Sequence, residues 1–94
     1  MKKLGQELRK IRESKNIYLR QIASVLEMDT AMMSKIERGE RNLQRQQVMK
    51  IASFYEISEE KLLTLWVHDK VINAVENEPF ALKGMQKALK TLKV

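Results

Sequence analysis

Ile22-Ala23-Ser24-Val25-Leu26-Glu27-Met28-Asp29-Thr30-Ala31-Met32-Met33-Ser34-Lys35-Ile36-Glu37-Arg38-Gly39 is the stretch on which the fold turns. Ile22, Ala23 and Leu26 share one face of a short helix, expected from about residue 19 to 26, and its end is abrupt. Asp29 can accept hydrogen bonds from free backbone N–H groups, which makes it the N-cap of a next helix expected over about 30 to 38. Met33 and Ile36 give that helix one apolar side. Gly39 then stops it, and the polar run Glu40-Arg41-Asn42 follows as a turn.

Working outward, Leu4, Leu8 and Ile11 recur at helical spacing and predict a first helix from about residue 2 to 15, with Asn16 suited to the left-handed conformation in which helices often end. Downstream, Val48, Ile51 and Ala52 predict a fourth helix over about 44 to 54. Ser58 caps a fifth, expected to reach about Glu76, and Glu59 and Glu60 suit the positive end of its dipole. Asn77-Glu78-Pro79 ends it and opens a sixth, reaching about Leu92, with Leu82, Met85, Leu89 and Leu92 in step. The fold expected is all-α: a five-helix domain over residues 1–63 and a helical extension over 64–94.

Composition agrees. The chain has 94 residues, enough for a single small core, and with only 3 Gly and 1 Pro it is poor in the breakers that a turn-rich β fold needs. The formal charge is +6, and it is uneven: through Arg45 there are 11 basic residues against 6 acidic, and beyond it 7 against 6. Such a first half favours a polyanionic partner, although a solubilising surface would have the same composition. The chain has no Cys, which excludes zinc-finger and disulfide frameworks and fits a reducing compartment. No apolar run supports a signal peptide or a membrane span, so a cytoplasmic protein without a membrane partner is expected.

Two short helices joined by an abrupt connection form the helix-turn-helix arrangement. The second helix must push its first side chains into a DNA groove roughly 12 Å wide, which asks for small or polar groups there. Thr30, Ala31, Ser34 and Lys35 meet that need, while Met33 and Ile36 hold the opposite side on the domain.

Residues 4–63 resemble the Cro and phage-repressor type of helix-turn-helix, the XRE family. The resemblance is carried by Leu8-Arg9-Lys10-Ile11-Arg12-Glu13, by Ile22-Ala23-Ser24-Val25-Leu26, and above all by Met33-Ser34-Lys35-Ile36-Glu37-Arg38-Gly39-Glu40-Arg41. It implies a regulator that binds double-stranded DNA. By the same resemblance Thr30, Ala31, Ser34 and Lys35 read bases, while Arg38, Arg41 and Asn42 hold the backbone. Arg12 and Glu37 sit where the family often has an internal salt bridge tying the recognition helix to the first helix, so orientation of that helix is expected of them in preference to DNA contact. For Lys35, a base contact, a phosphate contact and a solvated charge all stay open.

The departures lie at the turns. Where the family has Ser or Thr followed by a phosphate-clamping Gln, this chain has Tyr18-Leu19, so the clamp is lost and Arg20 or Tyr18 is left to reach the backbone. The turn position often held by Gly is Glu27, which is strained if left-handed. Ala31 can touch a thymine methyl and little more.

A lone domain of this kind offers little specificity, and two-fold dimers supply it by reading half-sites about 34 Å apart. The extension has more apolar residues than the core needs, and Trp66, Phe80, Leu82, Met85 and Leu89 are expected to form a homodimer interface. An intramolecular brace is the other account of the same residues. Lys83, Lys87, Lys90 and Lys93 line the last helix, as a solvated face or as a basic face toward DNA or lipid.

The whole chain, with Leu65-Trp66, Asp69-Lys70 and Ala81-Leu82-Lys83, is also similar to small controllers found beside DNA-methyltransferase and restriction-modification genes, which would imply a repressor or timing role. An enzyme is not expected: His68 is the only histidine, Glu59, Glu60 and His68 fit no metal-ligand spacing, and there is no glycine-rich phosphate loop. No cofactor, metal or small-molecule ligand is called for. An antitoxin of the same fold, or a protein-interaction module that has lost DNA binding, remain the alternatives.

Overall fold

The computed structural model describes residues 2–93. The helices are α1 (Leu4–Ser14), α2 (Leu19–Val25), α3 (Thr30–Glu37), α4 (Arg45–Tyr55), α5 (Glu59–Val75) and α6 (Ala81–Leu92), and no strand occurs among the described residues. The all-α helix-turn-helix fold is therefore as expected, with helix ends displaced by at most a few residues.

The turns explain why the elements stop where they do. At the end of α2, Glu27 adopts a left-handed φ of 55° and the Met28 N–H returns to the Ala23 carbonyl at 3.0 Å. Asp29 then opens α3, its carboxylate accepting from the Met32 N–H at 2.7 Å. Two helix ends are thus satisfied within four residues, which is what makes the connection abrupt. Asn16 and Glu56 close α1 and α4 in the same left-handed way, and Gly39 closes α3 at a φ of 79°.

The core is one cluster in which Leu8, Ile22, Met33, Val48, Ile51, Tyr55 and Leu62 are fully buried. α2 packs on α3 and α4, α1 on α3 and α5, and α4 on α5. Tyr55 is the exception to an apolar interior, since its hydroxyl has no hydrogen-bond partner among the described residues. Burial, with the Glu37 carboxylate nearby, holds that phenol above its usual range.

α1 begins at Lys3 without a capping side chain of its own. The cap arrives from α5: Asp69 accepts from the Lys3 N–H at 2.7 Å and from the Leu4 N–H at 2.9 Å. Burial alone would raise the Asp69 carboxyl, but those two donors and His68 outweigh it, so it is held below the ordinary carboxylate range. A depressed carboxyl stabilises above its unfolded value, about 3.9, and that contribution is lost as pH falls through the lower folded value. Asp69→Asn is expected to cost about 1–2 kcal/mol at pH 7. Denaturant unfolding should find the gap from wild type narrowing as pH falls below the unfolded value; a constant gap would refute the charged cap.

The clasp ties the middle of α5 to the start of α1. The boundary expected at 63/64 falls inside α5, and the packing of α5 on α1 continues to Asp69. The chain is elongated: its extents are 42 × 27 × 22 Å and its radius of gyration is 14.9 Å. A rounded domain of this length would have a radius of gyration of about 12.4 Å.

Candidate nucleic-acid interface

α3 has two chemically distinct sides. Met33 and Ile36 are buried, while Thr30 and Ala31 are exposed and Ser34 and Lys35 half-buried on the outer side. The four residues expected to read bases are thus brought together on the first two turns of one helix, with its apolar face fixed beneath them.

Arg38, Arg41 and Asn42 follow directly and are exposed. Arg38 is folded back, its Nε donating to Glu40 at 2.8 Å and its Nη1 to the Ser34 hydroxyl. That hydrogen bond is the chief reason the Glu40 carboxyl is held below its usual range, with Lys35 and Arg41 adding to it. Asn42 accepts from Lys2 Nζ, and the Lys2 chain lies over Gly39, where an added Cβ would meet its carbons at 3.4 Å. Lys2 therefore joins the basic surface behind α3, a role the sequence did not disclose because it lies 40 positions from its partner.

Arg20 stands exposed in the first turn of α2 with its guanidinium 4.6 Å from the Tyr18 ring centre, and Leu19 is half-buried. The α2 N-terminus is closed instead by Gln21, whose side-chain oxygen accepts from the Tyr18 N–H at 2.7 Å.

Two contacts set the angle of α3. Arg12 donates to both carboxylate oxygens of Glu37, at 2.8 and 3.2 Å, and to the Ile17 carbonyl at 3.0 Å. The pair expected to be structural is thus made, forked and largely shielded from water. At Gly5, a Cβ would stand 2.6 Å from the Glu37 carbonyl oxygen and closer still to that of Ile36. α1 can lie that close to the end of α3 only without a side chain at this point.

In the extension, Trp66 faces inward. Its indole N–H donates to the Leu43 carbonyl at 2.7 Å, its ring packs against the core, and Lys70 lies 4.1 Å from the ring centre. Of the residues expected at a partner surface, Trp66 is therefore engaged as a brace within its own chain. The other four, Phe80, Leu82, Met85 and Leu89, lie on or beside α6, where no residue is buried. Among the described residues no cluster could hold a metal ion, and no helix is long and apolar enough to cross a membrane.

No curated protein and no solved structure matches the chain. A helix-turn-helix domain family does, over residues 3–65, a span that takes in α1 to α4, the α3 face and the first part of α5. The chain belongs to that helix-turn-helix family and is a DNA-binding protein of its kind.

Proposed function

We propose that this protein is a dimeric, sequence-specific transcriptional regulator, a repressor or controller acting in the cytoplasm on a two-fold operator, and that it has no enzymatic activity. The observation that carries the reading is the polarity of α3: small and polar groups outward at Thr30, Ala31, Ser34 and Lys35, buried Met33 and Ile36 beneath, and Arg38, Arg41 and Asn42 at its exit. Such a helix fits the major groove with few base contacts, so affinity comes mainly from phosphates and discrimination from two copies acting together.

To reach a phosphate, Arg38 must give up its contacts with the Glu40 carboxylate and the Ser34 hydroxyl. Genomic pull-down supplies the operator, and anisotropy titrations over a salt series then separate the roles. Thr30→Ala with Lys35→Ala is expected to lower operator affinity by roughly 10- to 100-fold with little effect on random duplex. Arg38→Ala should weaken both alike and reduce the salt slope by about 1. Equal losses on operator and random DNA for the α3 double variant would remove the base-reading assignment.

A further inference from the structure

α6 has an apolar face without a seat. Leu82, Met85, Leu89 and Leu92 recur along one side of the helix and its lysines along the other. Yet Leu82, Leu89 and Leu92 are 68%, 53% and 81% exposed, and α6 enters none of the main helix pairs of the molecule. A helix of 12 residues is marginal in water by itself, and burying its apolar face would stabilise it.

α5 has a matching vacancy. Val67 and Val71, one turn apart on the side turned away from Leu62 and Asp69, are 48% and 39% exposed, with the half-buried Leu63 at the inner edge of the same stripe. The charges are complementary as well. α5 itself carries three acidic side chains, one of them the buried Asp69, against two basic ones, whereas residues 79–94 carry four Lys and no acidic side chain. Pairing α6 with another α6 would bring two lysine-rich helices together, whereas pairing it with α5 joins net charges of opposite sign. Within one chain the turn at Glu76–Phe80, with Asn77 at a φ of 79°, does not lay α6 along its own α5.

We propose that α6 of one copy seats its apolar face on the outer stripe of α5 in a second copy, and reciprocally, so that the dimer is held by exchanged helices. This rests on the dimeric reading above and names its interface. Absence of native Cys makes the test clean. Chains carrying only Val71→Cys or only Met85→Cys are mixed, allowed to exchange subunits and treated with a short bismaleimide, and the pair Val67→Cys with Leu89→Cys is run alongside to cover the other helix direction. At least one mixed pair is expected to cross-link about tenfold faster than either of its chains alone, because a shared interface holds the two thiols at millimolar effective concentration.

If Met85→Cys or Leu89→Cys links to itself as fast as in its mixture, α6 pairs with α6 and the exchange is overturned while the dimer stands. A dimer by sedimentation in which no mixed pair links has the same meaning. A chain that sediments as a monomer at micromolar concentration overturns both the exchange and the dimeric reading.

Discussion

Glu37→Ala is expected to remove about 3 kcal/mol of stability, the low end of what breaking a buried ion pair costs. For a domain of this size that lowers Tm by roughly 12–24 °C. The carboxylate side chain is only 4% exposed and that of Arg12 15%, so truncating Glu37 leaves a guanidinium shielded from water with the Ile17 carbonyl as its remaining acceptor. Partial access of water to Arg12 is why the low end applies. The pair itself is not the source of the stability: replacing both partners with apolar residues, as in Arg12→Met with Glu37→Leu, should recover most of the loss. Chemical denaturation of the two variants beside the wild type decides the matter, and a loss under about 1 kcal/mol for Glu37→Ala would show that the pair is hydrated in solution.

Gly5→Ala should have the second largest effect, about 2–3 kcal/mol destabilising, because the obstructing atoms are backbone carbonyl oxygens that cannot swing aside. Helix propensity by itself predicts the opposite sign, a gain of about 1 kcal/mol from Gly to Ala. Gly84→Ala is the matched control: nothing lies within 4 Å of its added Cβ, so it should show the propensity gain alone as higher helicity of α6. A Gly5→Ala protein with unchanged Tm would mean that α1 and α3 do not approach this closely. Because α1 abuts the end of α3, the same variant should also weaken binding to DNA of any sequence by tilting the recognition helix.

What the sequence disclosed and what it withheld divide along the range of the interactions. The helices were legible because apolar residues recur at helical spacing, and Asp29, Gly39 and Ser58 mark ends through bonds spanning a few residues. The outer face of α3 was legible for the same reason, once Met33 and Ile36 fixed which side is buried. Gly5, Lys2 and Asp69 were not, because each acts on a partner far along the chain. Two cues did exist. α1 starts at a Lys that cannot cap, and Asp69 is an acidic residue on the side of α5 shared with Leu62 and Trp66, where an unpaired charge would be costly. Trp66 was open to either account, since an aromatic suited to an interface is equally suited to bridging a helix and a loop of its own chain.

The Asp69 clasp joins residues 65 positions apart. Closing a loop of that length costs about 3.7 kcal/mol of chain entropy unless the helices between have already drawn its ends together. The order of folding follows from this. The start of α1 is expected to be fastened late, after α5 has docked. In the native state the same junction is expected to open before the rest of α1, so that native-state exchange finds the amide protons of Lys3 and Leu4 ahead of those in the middle of α1.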